Sequence, residues 1–548
     1  MLTKTPPQPT TETKTNHSRK RKKPNVPQPG EPGYKTPTQL RNERKRRAKK
    51  QHVGVKVKDG KSTTDGVGTS TNATSNSKST VPLDPSSRYL SNPTSAPLVQ
   101  KAVAFFKTTT PKQPGGFKIH PVGGSDGATL TGWRTVAKLA VRAKDGKISI
   151  GLFAPNSHDL LPVPNCAAHH PSINSTVSIL ERLLNRSNNH KLKPNSSTDN
   201  SETDGTRIAG ATTAFDETTG KGHLRHVAIN VERSTGKVQI TLVWNSHPFR
   251  TDENENDNTE EKKILDSLTN SIVMAAAAAP SADGRKRRRG RKGIEGGASA
   301  TVQSESVQEK QPLHLHSLWI HFNASWKHSN AIFSIEGGPD CWKHVYGPIC
   351  IEEVLSLSGQ ALPVALRFPP NVFRQANLDA FTNIIGVIRA TIKSKFVDSK
   401  PSCVELYGGV GTIGLNVADL TSALISSDEN PFNKECFLAA AAGFSSHDIS
   451  MVTYESKNAT AMVRSNALEK GQVIIVDPPR KGLDDDVLAA LCSAETPELL
   501  VYVSCGFDAF QRDCSALLKS RWRLDHAEGH LLFPGSDAIE TLAFFTRK

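Results

Sequence analysis

The sequence contains no Cys-x-x-Cys pair, although eight cysteines are spread along its 548 residues (Cys166, Cys341, Cys350, Cys403, Cys436, Cys492, Cys505, Cys514). Zinc ribbons and iron–sulfur clusters are held by closely spaced thiolates, so no metal is expected from cysteine spacing. His314 and His316 share one face of a strand-like segment, but no third ligand accompanies them. Apolar runs of roughly 18 residues are missing too, as is a secretory apolar stretch near the start. A membrane span is therefore not expected, and an intracellular, reducing setting is.

Apolar periodicity is absent over residues 1–95, which are rich in Thr, Ser, Pro, Lys and Asn and read as a disordered tail. The net charge of +16 is concentrated there: residues 1–60 hold 17 Lys and Arg against four acids, leaving the rest of the chain close to neutral. Such a tail attracts phosphate non-specifically, and any fixed groove for nucleic acid must be a local patch. The clusters Arg19–Lys23 and Arg41–Lys50 suit a nuclear or nucleolar signal or an RNA-binding arm, and the Ser/Thr content also suits a plastid or mitochondrial transit peptide.

Residues 96–360 read as a β-rich α+β domain. A hairpin is expected over 133–153 around Lys144-Asp145-Gly146-Lys147, a helix over Ile173–Leu184, and a second hairpin over His223–Val243. Strand-like sequence resumes at His314–Phe322 and Ala331–Ile335. Between them, residues 249–312 combine an acidic block, an alanine run and Arg285–Lys292, and read as a flexible insert.

From residue 361 short apolar strands alternate with helical segments, at 402–407, 423–428, 449–453, 472–477 and 499–504, with two more strands near 522–528 and 540–546. This alternation predicts an α/β, doubly wound, Rossmann-like sheet whose ligands bind at the carboxyl ends of the strands. The first of these strands leads into Gly408, Gly409 and Gly411, then an apolar stretch of helical spacing. Glycine lets a backbone approach a ligand closely, and a helix N-terminus offers free N–H groups. Asp428 ends the next strand, placed to accept hydrogen bonds from a ribose. Gly409-x-Gly411-x-x-Gly414 with Asp428 also satisfies the dinucleotide fingerprint, so the motif alone allows NAD as well as S-adenosylmethionine.

Three features lie further along the same rim. Asp477-Pro478-Pro479-Arg480 ends one strand in a stiff loop that cannot continue a ladder. Cys505 ends the next strand just before a helix, where a dipole favours a thiolate. Glu540 enters the last apolar strand, where poor solvation raises a carboxyl pKa and makes a base.

Taken in order, Phe373-x-Gln375-x-Asn377, Glu405-Leu-Tyr-Gly-Gly-Val-Gly411, Asp477-Pro-Pro-Arg480, Ser504-Cys505-Gly506 and Phe533-Pro534…Glu540 resemble the RNA uracil-5 methyltransferase family, which forms 5-methyluridine in tRNA or rRNA. Weaker similarity covers 133–166, 222–245 and 313–357. The resemblance implies an S-adenosylmethionine site lined by Gln375, Tyr407, Gly409, Gly411, Thr412, Asp428 and Asp477. It also implies Cys505 as nucleophile, Glu540 as proton acceptor, and a monomer with an RNA partner and neither membrane nor metal. One position departs from the family: Ser536-x-Ala538-x-Glu540 stands where Thr-x-His-x-Glu is usual, so the residue expected to support Glu540 is missing. Two other readings stay open, a non-catalytic RNA-binding protein with the same fold and a NAD-dependent oxidoreductase, the second leaving Asp477-Pro-Pro-Arg480 and Cys505 without a task.

Overall fold

The computed structural model describes residues 84–110, 113–121, 130–154, 157–189, 211–249, 259–277, 312–325, 332–333, 338–360, 362–444 and 451–548. Most of the basic tail, the Arg285–Lys292 cluster and most of Ala331–Ile335 lie outside them.

Order begins earlier than the sequence suggests. Asp84 accepts the Ser86 N–H (2.9 Å) and the Cys166 thiol (3.0 Å), fixing a short 3-10 turn against the central domain. The chain then forms helix α1 (Pro97–Thr109) and strand β1 (Lys118–His120). Residues 84–95 are thus not part of a disordered tail. Nor do residues 97–120 join the central domain: Val99, Ala102 and Phe106 pack on the C-terminal sheet, and β1 forms its edge.

The central domain is a seven-stranded sheet in the order β4-β3-β2-β5-β6-β7-β8. Its strands are β2 (Val136–Lys144), β3 (Lys147–Phe153), β4 (Leu160–Pro162), β5 (Leu224–Val231), β6 (Val238–Trp244), β7 (Leu315–Phe322) and β8 (Trp342–Tyr346). The β2–β3 hairpin turns at Asp145 and Gly146, both with positive φ, as its sequence predicts. Helix α2 (Pro171–Asn189) covers one face.

The expected flexible insert also needs correction, because helix α3 (Thr259–Ala277) lies inside it. Strands β6 and β7 pair in parallel, and a parallel pair requires a crossover rather than a tight turn. The apolar stripe Ile264, Leu265, Leu268 and Ile272 buries α3 in the central core.

A hairpin of β9 (Ile351–Leu355) and β10 (Val364–Phe368) leads through helix α4 (Leu378–Lys395) into the C-terminal domain. Its further elements are β11 (Ser402–Leu406), β12 (Ala423–Ser427), α5 (Asn433–Ala441), β13 (Val452–Glu455), α6 (Ala459–Arg464), β14 (Val473–Val476), α7 (Asp485–Ser493), β15 (Leu499–Ser504), α8 (Phe507–Lys519), β16 (Trp522–His530) and β17 (Glu540–Arg547). The eight strands run β1-β16-β17-β15-β14-β11-β12-β13, parallel except for β17, which is antiparallel to both neighbours. The order reverses between β11 and β14, where Leu406 and Val476 are register partners. That reversal opens the crevice in which α/β sheets bind ligands.

Candidate active site

The glycine turn grows out of β11. Tyr407, Gly409 and Gly411 all adopt positive φ, an uncommon conformation for a tyrosine. At Gly411 a side chain would be strained by φ +86° and would also strike Phe437 and Leu415, each closer than 3 Å. The turn is pinned from below by Glu405, a carboxylate buried in the strand, which accepts from the Gly414 N–H (2.8 Å) and the Ser426 hydroxyl (2.5 Å). Burial, then the neighbouring Asp428, raise its pKa to about 7.

The helix expected from the apolar spacing does not follow the turn. Two 3-10 turns, Gly414–Asn416 and Ala418–Leu420, take its place. Glu405 captures the Gly414 N–H, and Arg389 donates to the Asn416 carbonyl (2.5 Å), so both groups are engaged by side chains instead of a regular ladder.

Asp428 sits where the sequence places it. Its carboxylate accepts from the Gly409 N–H (3.1 Å) and the Asn430 N–H (2.9 Å), and remains half-buried at the mouth of the crevice. Asn430 in turn donates to the Asn371 carbonyl (3.0 Å), which draws the loop carrying Gln375 toward Asp428. That loop is clamped on both sides. Thr135 donates to Ala376 O from its N–H (2.8 Å) and hydroxyl (3.0 Å), and Arg374 reaches Val231 O (2.8 Å) and Glu353. Gln375 and Thr412 are half-buried in these segments.

Asp477 follows β14 directly, beside Tyr407, because Leu406 and Val476 are paired. Burial and then Glu405 raise its pKa to about 7. The loop beyond it is locked to α8: Asp513 accepts the Leu483 N–H (2.9 Å) and the Tyr502 hydroxyl (2.8 Å). At Gly506 the backbone passes so close to Arg480 that an added Cβ would stand 2.3 Å from the Arg480 carbonyl oxygen. This contact sets the loop carrying Arg480 against the Cys505 turn.

Ser504 pairs with Thr541 across β15 and β17, so Cys505 and Glu540, one residue beyond each, come to the same rim. Burial, then the Glu540 and Asp477 carboxyls, push the Cys505 thiol up to about 12, while Arg480 pulls it down. The direction is opposite to the one expected from a helix dipole: Cys505 precedes the α8 cap residue Gly506, and burial with two acidic neighbours raises the thiol. Glu540 is 3 % exposed, and burial, then Asp477, raise its pKa well above the ordinary carboxylate value, with Arg480 opposing. A raised carboxyl is what the sequence predicts there.

Support for Glu540 comes from an unexpected quarter. The 533–538 loop is held by Tyr89 N–H on Gly535 O (2.8 Å), by Leu98 N–H on Asp537 (2.8 Å), and by Asn377 on Leu532 O (2.9 Å). Two of these three braces come from the segment assigned by sequence to the tail or the central domain.

Sequence reasoning also passed over Arg134. This half-buried arginine lies with its guanidinium over the rings of Trp133 (5.2 Å) and Phe533 (5.7 Å), near enough to Arg480 for the two charges to repel. Its Nε has no hydrogen-bond partner among the described residues. The signal was available only as a Trp-Arg pair in a distant hairpin.

No family model matches the chain. An RNA methyltransferase of Protochlamydia amoebophila is 32% identical over 419 residues, covering 76% of this chain and 87% of that protein. One from Bacillus cereus is 23% identical over 418 residues, covering 76% and 71%. Among solved structures, the Pyrococcus abyssi tRNA (uracil-54, C5)-methyltransferase in complex with S-adenosyl-L-homocysteine superposes with a TM-score of 0.51 at 17% identity, covering 82% of this chain and 83% of that one.

Proposed function

Because the chain belongs to the RNA methyltransferase family of these bacterial relatives, we propose that it uses S-adenosylmethionine to methylate carbon 5 of a uridine in tRNA or rRNA. The observation that carries this reading is the meeting of Cys505, Glu540, Asp477 and Arg480 on one rim, next to the strand-order reversal that carries the glycine turn.

The residues present fit the donor. Tyr407, Gly409, Gly411 and Thr412 form a backbone-lined turn, and Asp428, Asp477 and Gln375 surround it. Asp428 raises Glu405 and Glu405 raises Asp477, each after burial, and these raised values mark a place where a positive ligand is favoured. When bound, S-adenosylmethionine supplies a methyl group made electrophilic by its sulfonium. Asp428 would hold the ribose hydroxyls, and Asp477 would sit against the cation.

Carbon 5 of uracil is a weak nucleophile. Addition of the Cys505 sulfur to carbon 6 converts the ring to an enolate whose carbon 5 is electron-rich, splitting one hard step into easier ones. Arg480 favours the charged form of both Cys505 and Glu540, and is the group that offsets the burial of each. Glu540, as carboxylate, takes the proton from carbon 5 after methylation, and the sulfur then leaves carbon 6. Arg134, half-buried and with its Nε lacking a partner among the described residues, is suited to a substrate anion or carbonyl oxygen. The uridine must be unpaired or flipped to reach this rim. An RNA substrate sets the work inside the cell, with the basic tail adding non-specific attraction.

The test is transfer of labelled methyl from S-adenosylmethionine to RNA, read as 5-methyluridine by nucleoside analysis. RNA binding without transfer would favour the non-catalytic alternative, which rests on Ala538 in place of the usual histidine.

A further inference from the structure

Glu528, near the carboxyl end of β16, is surrounded by imidazoles. His120 Nε2 lies 3.1 Å from Glu528 Oε2, His530 Nε2 lies 3.0 Å from Oε1, and His526 Nε2 lies 3.2 Å from Oε2. The ligand atoms of His120, Glu528 and His530 all fall within 4.8 Å of one another. Strand geometry explains the convergence. Residues 526, 528 and 530 alternate onto one face of β16, and His120 is the register partner of His530 across β1. The His120 and His530 rings stack, with centroids 4.7 Å apart and planes 14° from parallel.

We propose that His120, Glu528 and His530 form a binding site for a divalent transition metal ion, zinc. Imidazole and carboxylate are suitable zinc donors, with bonds of about 2.0–2.2 Å. Two such bonds at a tetrahedral angle separate their donor atoms by roughly 3.3 Å, close to the 3.0 and 3.1 Å found between Glu528 and the two histidines. His530 and Glu528 are buried, while His120 is 39% exposed along its side chain and leaves an approach for the ion and a water ligand. His526 bonds Glu528 from outside the triad and would orient the carboxylate.

The site has a structural consequence. β1 has three residues and ends the sheet, whereas Glu528 and His530 lie 408 or more residues further along the chain. An ion there would clip the N-terminal segment, including the braces on the 533–538 loop, to the C-terminal sheet. Closing so long a loop is where a metal clip helps most. Cysteine spacing could not reveal such a site, since its ligands are histidine and glutamate brought together from opposite ends of the chain.

The rival explanation is a metal-free cluster in which Glu528 accepts Nε2–H from the three histidines. The full-length chain, stripped with a chelator, is titrated with Zn²⁺ alone by calorimetry, and thermal melting is followed with and without the ion. The site predicts one equivalent of zinc, a melting temperature that rises with zinc and falls on chelation, and a Co²⁺-substituted form with visible absorption. His120→Ala, at a part-exposed position that does not threaten folding, is expected to weaken zinc binding at least tenfold, the lower end of what loss of a supporting group costs a metal site. His530→Ala should do the same if it folds. No saturable zinc binding by the wild type, or equal binding by His120→Ala, overturns the proposal.

Discussion

Cys505 and Glu540 stand one residue beyond the register pair Ser504 and Thr541, and the Glu540 carboxyl is the neighbour that most raises the Cys505 thiol after burial itself. This relationship separates the two groups experimentally. Cys505→Ala is expected to abolish methylation while leaving donor binding intact, because no adduct at carbon 6 can form. Glu540→Gln is expected to add and methylate, then stall with carbon 5 still protonated. The product would be a covalent protein–RNA complex, seen as a slow band on a denaturing gel and carrying the donor's label. Normal turnover by Glu540→Gln would remove it as the base.

The thiol value gives a second expectation. With its pKa pushed up to about 12, Cys505 in the free protein carries little thiolate at neutral pH, so its alkylation by iodoacetamide should be slower than that of an ordinary cysteine and should rise about tenfold per pH unit. Arg480→Ala removes the group that lowers the value and should slow alkylation further. Faster alkylation in Arg480→Ala, by peptide mass spectrometry at Cys505, would contradict this electrostatic role.

Much of this rim was legible because its residues are written as local exceptions to strand grammar: an Asp before two prolines at 477–480, a Cys after an apolar run at 505, a Glu entering another at 540. Strand positions were legible for the same reason, since fully buried parallel strands read as short apolar runs. What stayed hidden depended on distant pairing. Helix α3 follows from the parallel partnership of β6 with β7, which no local pattern announces. Residues 84–95 contain few apolar groups and order through hydrogen bonds to Cys166 and Gly535. The Cys505 value depends on Asp477 and Glu540, brought beside it by the sheet.

The donor pocket carries a pH signature. Glu405 and Asp477 both have folded-state values near 7, above their ordinary 4.5 and 3.8. A raised carboxyl favours the folded state at low pH, and that contribution is lost as pH climbs from its ordinary value through its folded value, so these groups make the free protein steadily less stable from about pH 4 to about pH 7. A cationic ligand reverses their preference. The rise in melting temperature caused by S-adenosylmethionine should therefore grow over the same window. A donor effect that does not change with pH would argue against Asp477 facing the cation. Asp428→Ala is expected to weaken donor affinity by ~1–3 kcal/mol by calorimetry, the scale of a charged hydrogen-bond partner.

Helix α3 supplies a test of the central domain. Leu265 is fully buried among Ile264, Leu268 and Ile272 and the strands they cover. Leu265→Ala should destabilise the protein by about 2–5 kcal/mol, the usual range for a large-to-small change in a core. Denaturant unfolding with an unchanged midpoint would mean the helix is dispensable, as its place in an apparent insert first suggested.

Two N-terminal truncations separate the work of the basic clusters from that of the 84–98 segment. A chain beginning at Asp84 keeps the bonds from Asp84 to Ser86 and Cys166, from Tyr89 to Gly535 and from Leu98 to Asp537. It also loses the basic clusters, so it should retain catalysis on saturating RNA while binding more weakly and with a shallower dependence on salt, having fewer cations to displace counterions. A chain beginning at Val99 loses the braces from Tyr89 and Leu98 on the loop that leads into Glu540. Since Ala538 stands where a supporting histidine is usual, only the Asn377 bond to Leu532 would remain of the three described there. The base should then be poorly held, and elimination rather than methyl transfer should slow, leaving the wild-type Glu540 enzyme with the same trapped protein–RNA band expected of Glu540→Gln. Equal turnover by the two truncations, with no trapped species in the shorter one, would show that the 84–98 segment does not position Glu540.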